Sequence, residues 1–445
     1  MHTHQSLSKL IGISIFTAAL SACSGGSGFA PKPAAPTVRT GIHVLPLGQT
    51  APYTVVELKT LGGTFAAGSS INDEGWISGL SGNAGNAVFH AALWRNRTAV
   101  DLGTLGGPNS AVEWPNHDLG LVVGISQTSR VDPLGEHWSC SAFIPYTGNT
   151  CRGFVWRSGV MNKLSTFGGN NGYATAANAH GEVVGWAENK LHDSTCVAPQ
   201  VLQFEAAAWD SSGQIRVLPP FSKDLDGAAT AVNDAGDVAG ISGICQNSVG
   251  DLSAKHAVLW HRGFTIDIGN LGGSAWNTPA AINSSGEVVG FSDLRGDQHG
   301  ANPNFHGFLW TRNDGIHDLG VLPGDVISEA LGVNDKGQIV GISCATSNCS
   351  ASRAFIYQYG VMKDLNKLVP PGSPLLVFAN DINSHGEITG LAQDRATGAA
   401  SAFRMTPRIG GDMDGSYSNP DASHPVYSGK PVVRFGPWGR VVPQL

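Results

Sequence analysis

A nine-residue stretch, Val333-Asn334-Asp335-Lys336-Gly337-Gln338-Ile339-Val340-Gly341, recurs with small changes seven times along the chain. Its first glycine falls at Gly75, Gly120, Gly181, Gly236, Gly286, Gly337 and Gly386, so successive copies lie 45 to 61 residues apart. An apolar β-branched residue, then Asn-Asp-x-Gly, then alternating Val and Ile spells a tight β-hairpin. Asn and Asp bond their own backbone two residues on and so start turns. Gly takes the positive φ that closes the loop.

Two further elements follow each hairpin in fixed order. The first is a short apolar strand ending in an aromatic: His90–Trp94, Arg152–Trp156, Glu205–Trp209, His256–Trp260, His306–Trp310 and Arg353–Tyr357, with Ser401–Met405 lacking the final aromatic. The second is a strand leading into Leu-Gly-Gly, as in Val100-Asp101-Leu102-Gly103-Thr104-Leu105-Gly106-Gly107. Each unit therefore reads as four strands, A and B from the hairpin, then C, then D. Four short strands at such a period predict an all-β fold, a seven-bladed β-propeller of four-stranded blades. The seventh unit has no D strand after Ser401–Met405, but a matching one, Val56-Glu57-Leu58-Lys59-Thr60-Leu61-Gly62-Gly63, stands at the other end of the chain. That N-terminal strand is expected to complete the last blade and close the ring, which removes exposed sheet edges. An open array of hairpins or a β-helix is the alternative, and neither needs a displaced strand.

The N-terminus predicts the address. Lys9 precedes an apolar run, Leu10–Leu20, too short to span a bilayer but suited to a signal-peptide core. The run ends in Leu20-Ser21-Ala22-Cys23, which resembles the lipobox of bacterial lipoproteins. The resemblance implies that residues 1–22 are removed and Cys23 is acylated. Each buried CH2 then adds roughly 0.8 kcal/mol of membrane anchoring. Ser24 after the Cys implies sorting to the outer membrane of the cell envelope. Residues 23–52, rich in Gly, Ser, Pro and Ala, read as a flexible tether, residues 53–407 as the propeller, and residues 408–445 as a Gly/Pro-rich tail. The tail carries Phe435, Trp438 and Val441-Val442 and is expected either to cross the face bearing the short turns or to stay mobile.

Charged residues make up only 14% of the chain, the net charge is −7 and no basic stripe occurs, which argues against a nucleic-acid partner. Without Cys23, the seven cysteines reduce to six, an even number suited to an oxidising compartment. The expected bridges are Cys140–Cys151, Cys344–Cys349 and Cys196–Cys245, the last joining equivalent loops of neighbouring units. No C-x-x-C pair supports a zinc site. Asp412-Met413-Asp414-Gly415 lacks the distal Glu of a calcium loop. No metal or cofactor is expected.

The A–B and C–D turns are short throughout, whereas the B–C connections are long in units two to five, at Gln127–Cys151, Ala187–Phe204, Ser242–Lys255 and Ser292–Phe305. In a four-stranded meander the B–C and D–A connections share one side. Function concentrates on loops carried by a rigid scaffold, so the site is expected there, around the mouth of the central channel. The candidate ligand-binding residues are Arg130, Asp132, Glu136, His137 and Trp138 in unit two, His192 and Asp193 in unit three, and Asp293, Arg295, Asp297 and His299 in unit five. A carboxylate pair with His and Arg could bind a sugar acid or act as acid and base; the plainer alternative is solvated loop residues. The His that opens strand C (His90, His256, His306) is replaced by Arg152, Glu205, Arg353 and Ser401 elsewhere, so it reads as structural.

The units resemble the HAF family of probable extracellular repeats. Its His-Ala-Phe motif appears here as His256-Ala257-Val258, His306-Gly307-Phe308, Arg353-Ala354-Phe355 and Ser401-Ala402-Phe403. Ile/Val-Asn-Asp-x-Gly-x-Val-Val-Gly precedes it and Asp-Leu-Gly-x-Leu-Gly-Gly follows it. Unit two departs with His117 in the Asn position, and unit three with Asn178-Ala179-His180. The family implies an exported repeat protein and brings no catalytic residues. Nor does the chain carry a nucleophile elbow, a His-Glu-x-x-His, a phosphate loop or a dinucleotide fingerprint. The favoured expectation is a monomeric, membrane-anchored binding scaffold for a glycan or an envelope protein. A polysaccharide hydrolase or lyase with its site at the channel mouth, and a purely structural envelope protein, are the alternatives.

Overall fold

The structure, a computed structural model, describes residues 50–114, 120–136, 138–141, 143–246, 254–296, 304–410, 417–422, 433–435 and 441–443. The signal peptide, Cys23 and nearly all of the tether lie outside the described residues, as do His137, Asp297 and His299. The described chain is built from strands and turns, with little helix. Units two to six each form a four-stranded antiparallel sheet in the order A-B-C-D. In unit six the strands are Ile327–Val333, Ile339–Cys344, Ser352–Gln358 and Val361–Asp364.

Units one and seven share one sheet through a single parallel pair, Phe65 with Ala400. The displaced N-terminal strand, Tyr53–Glu57, lies antiparallel on the outer edge of Ala400–Pro407, with Tyr53 opposite Pro407 and Glu57 opposite Phe403. It takes the place the D strand occupies in the other units.

Burial is graded across each sheet. Strand A is wholly buried in Gly172–Ala177 and Thr278–Ile282, whereas the outer strands Thr98–Asp101 and Ile215–Val217 are mostly exposed. Neighbouring sheets pack face to face. Val184, Ala206, Ala229 and Val258 fill the space between units three and four, and Val289, Ala330 and Phe355 that between units five and six. Ala66, Ile77 and Ala402 do the same between units one and seven. Each large side chain so buried contributes about 1.5–3 kcal/mol.

The recurring motif acquires its reasons here. Asn334 Oδ1 accepts the amides of Lys336 and Gln338, both at 3.1 Å, and Gly337 takes φ 69°. The second glycine is demanded by space: a Cβ on Gly341 would overlap the carbonyl oxygen of Glu329 on strand A. The Asn amide reaches into the next unit. Asn178 Nδ2 donates to Asn233 O at 3.1 Å, Asn233 to Asn283 O at 3.0 Å, Asn283 to Asn334 O at 3.2 Å, Asn334 to Asn383 O at 2.9 Å and Asn383 to Asn72 O at 2.9 Å. The residue that starts each turn thus also ties one hairpin tip to the next. The aromatic ending strand C does similar work: Trp94 Nε1 donates to Lys59 O, Trp209 to Ser165 O and Trp260 to Pro219 O.

The tail departs from expectation. Tyr417 Oη donates to Val369 O at 3.0 Å, and Asn419 donates its backbone N–H to Lys367 O and its side chain to Asn366 O. Residues 417–422 are therefore pinned to the D–A connection after unit six, on the loop side rather than the short-turn side. Asn419 can make these bonds because its amide and backbone meet the open carbonyls of the turn that follows Asp364.

Candidate functional site

The strand-C histidines pair within their sheets. His90 Nδ1 meets Asp101 at 2.9 Å, His306 meets Asp318 at 2.9 Å and His256 meets Asp224 at 2.8 Å. Arg353 fills the same role against Asp325 at 2.7 Å and Asp364 at 3.2 Å. The same aspartates cap the following turn, Asp101 accepting Gly103 N and Asp318 accepting Gly320 N, each at 2.7 Å. Burial raises and the His contact lowers the Asp101 and Asp318 carboxyls, with a net shift downward. The recurring His is a structural hydrogen-bond partner of an aspartate. Among the described residues, no group of three or more His, Cys, Asp or Glu side chains is arranged to hold a metal.

On the loop side the three expected disulfides are present. Cα–Cα separations are 5.7 Å for Cys140–Cys151, 4.6 Å for Cys196–Cys245 and 5.0 Å for Cys344–Cys349. The excursion of unit two is partly strand, since Leu121–Val131 continues past Gln127 until Val131 pairs with Asn149.

The candidate carboxylates of unit two turn inward. Asp132 is buried; its Oδ1 accepts Leu134 N at 2.8 Å and Gly135 N at 3.1 Å, and its Oδ2 accepts Asn171 Nδ2 at 2.8 Å. Glu136 is fully buried and reaches unit three, where its Oε1 accepts Val201 N at 2.9 Å and Leu202 N at 2.6 Å. They meet Glu188, whose Oε2 accepts Asn170 N and Asn171 N and whose Oε1 accepts Gln200 Nε2. Burial chiefly raises the Glu136 carboxyl, and nearby Asp132 adds to the shift. Glu188 is pushed up to about 7, first by burial and then by the charge of Glu136, against the bonds from Asn171 and Gln200. Arg130 and His192 are exposed at the ends of their strands. Asp293 is buried, Arg295 is exposed, and Trp138 opens a short helix, Trp138–Ser141.

Asp193 sits at the repeat position of Asp132, each eight residues after the second motif glycine (Gly124, Gly185). Its Oδ1 accepts Thr195 N at 2.7 Å. Its neighbour is Asp226, absent from the candidate set, which is pushed up to about 8 by burial first and then by the hydrogen bond and charge of Asp193. Asp226 occupies the place of Asn109 and Asn171, so the signal available in the sequence was an acid where other units carry an amide.

Apolar side chains stand outward around these clamps. Val131 is 68% and Leu191 63% exposed, and Leu134, Tyr146, Val197 and Leu225 are also exposed.

The cavity lies on the other side. The hairpin tips of units one and three to seven converge around about 260 Å³, with Asn72, Asn178, Asn233, Asn283, Asn334 and Asn383 in its wall. Three aspartates of these tips accept amides of the preceding unit: Asp73 from Ser384 and Asp335 from Ser284 at 2.9 Å, Asp234 from Ala179 at 2.8 Å. The short-turn side, expected to be plain, thus carries this cavity, because six turns of one design crowd their polar tips together.

No protein-family model matches the chain, and no curated protein matches it in sequence. Among solved structures it is similar to a virginiamycin B lyase from Staphylococcus aureus, at 8% identity over 80% of this chain and 100% of that one, with a TM-score of 0.45. It is similar to a streptogramin B lyase at 10% identity over 80% and 98% of the two chains, TM-score 0.45. An oligogalacturonate lyase in complex with manganese is similar at 10% identity over 81% and 99%, TM-score 0.43.

Proposed function

We propose that this chain is an exported lipoprotein of the HAF repeat type, anchored through Cys23, whose seven four-stranded units are the blades of one closed propeller. Its loop side over blades two to four binds a protein of the cell envelope. Closure is supported by the bonds between units seven and one, Asn383 to Asn72 O and Ser384 N to Asp73, which repeat those between other neighbours. The anchor and its outer-membrane address rest on Leu20-Ser21-Ala22-Cys23 behind the apolar run.

One observation carries the binding reading: buried carboxylates and disulfides hold the loops of units two to four rigid, while aliphatic side chains face outward from them. Exposed apolar groups on a preorganised, polar-rimmed surface mark interaction sites. The set is aliphatic with one tyrosine, which suits a protein more than a glycan. A polysaccharide hydrolase or lyase is the competing reading and draws on Glu188, whose value of about 7 lies in the range of a general acid.

The test places a photocrosslinking residue at Leu191 or Val197, and as controls at Phe264 and Tyr359, which are more exposed but at C–D turns. The reading expects a discrete crosslinked partner from the first pair alone. Equal crosslinking from all four positions would sink it. Release of new reducing or unsaturated ends from envelope polysaccharide, lost in Glu188→Gln, would establish the enzyme instead.

A further inference from the structure

Asp193 and Asp226 meet where the loops of units three and four are stapled by Cys196–Cys245 and by Cys245 N donating to Thr195 Oγ1 at 3.1 Å. Each uses one oxygen conventionally, Asp193 Oδ1 for Thr195 N and Asp226 Oδ1 for Phe204 N at 3.1 Å. The Oδ2 of each is buried without a well-aligned hydrogen-bond partner; the Cys245 N–H also favours the charged Asp226, but less than burial and Asp193 oppose it. A carboxylate only accepts, so two such oxygens within hydrogen-bond reach need a proton between them. One unit earlier the same two positions hold Asp132 and Asn171, and there the amide supplies the hydrogen.

We propose that Asp193 and Asp226 share one proton that latches the loop of unit three onto the start of unit four, so that this side of the molecule loosens as pH rises.

Glu136 and Glu188 hold the far end of the same loop, at Val201, Leu202 and Gln200. Strand Leu202–Trp209 brings Glu205, which accepts Asn189 Nδ2 at 2.6 Å. Before strand A of unit four, Asp224 accepts Ser242 Oγ and pairs with His256. Lys190, His192, Lys223 and Lys255 are exposed, and the small cavity beside Asp226 is walled by Gly227, Ile241, Ser242, Gly243, Ile244 and Ala254. Asp193 is the charged side chain that acts most strongly on Asp226.

The folded value of Asp226, about 8, is raised above that of an open loop, about 4. The latch is therefore at full strength below about pH 4, weakens up to about tenfold per pH unit, and levels off above about pH 8. Any consequence for partner binding rests on the function proposed above; the latch does not.

Amide hydrogen exchange of residues 193–197, corrected for intrinsic rates, tests it on the full soluble chain in wild type and in Asp226→Asn. The wild-type opening constant is expected to rise several-fold or more per unit between about pH 5 and pH 8, and in Asp226→Asn to stay level. The same rise in both proteins would overturn the latch. Should the variant fail to fold, the infrared carbonyl stretch of a protonated carboxylic acid in the wild type decides. Its presence at about pH 6 and loss by about pH 9 supports the proposal, and its absence throughout overturns it. Calcium that restores protection at about pH 8 in wild type alone would make the occupant a cation and overturn the proton. Missing crosslinks at Leu191 with an intact latch would sink the binding reading alone.

Discussion

The junction between units two and three and the junction between units three and four are built on the same backbone positions, and the side-chain bond that links them differs at one atom. In the first, Asn171 accepts Cys151 N and donates to Asp132. In the second, Asp226 accepts Phe204 N in the same way but has nothing to donate to Asp193 unless protonated. Exchanging an amide nitrogen for an oxygen turns a bond that exists at any ordinary pH into one that titrates. The first junction carries its own raised acid, Glu188, at about 7, a carboxyl that two backbone amides and an amide side chain hold against burial.

The heaviest way to break the comparison is Asn171→Ala. It leaves Cys151 N without its acceptor and removes the donors to buried Asp132 and Glu188, so a loss of about 3–5 kcal/mol is expected in urea unfolding at neutral pH. A second test removes the staple that only the later junction has. Replacing Cys196 and Cys245 together by Ser is expected to cost about 2–4 kcal/mol, read as a shift in urea midpoint. A third makes the first junction imitate the second. Asn171→Asp sets a third acid against Asp132 and Glu188; the loss, about 1–3 kcal/mol at pH 8, should shrink as pH falls towards 5 because protonation restores a donor. A loss independent of pH would contradict the account. The smallest effect is at the surface: Leu191→Ala should change stability by less than about 0.5 kcal/mol while weakening partner crosslinking.

Much of this was legible in the chain. The four-stranded unit, the placement of Tyr53–Glu57 beside Ala400–Pro407, the three disulfides and the structural part played by His90, His256 and His306 follow from local spacing and chemistry. The inward turn of Asp132 and Glu136 was not legible, because their partners, Asn171, Val201 and Leu202, lie in the next unit and are met only when sheets stack. For the same reason the hairpin tips, each polar and unremarkable alone, gave no sign of the cavity they enclose together, and the tail gave no sign that Asn419 would find the carbonyls of Asn366 and Lys367.

The division has a physical cause. Turn formation, strand alternation and the short Cys140–Cys151 and Cys344–Cys349 loops depend on nearby neighbours, so six copies of Asn-x-x-Gly and one of His-x-x-Gly, each before alternating Val and Ile, determined the hairpins through the sequence alone. Burial, and with it the titration of Glu188 and Asp226, depends on what a neighbouring sheet lays over a side chain. That was decided when unit three closed on unit four, where one carboxyl met another in place of an amide.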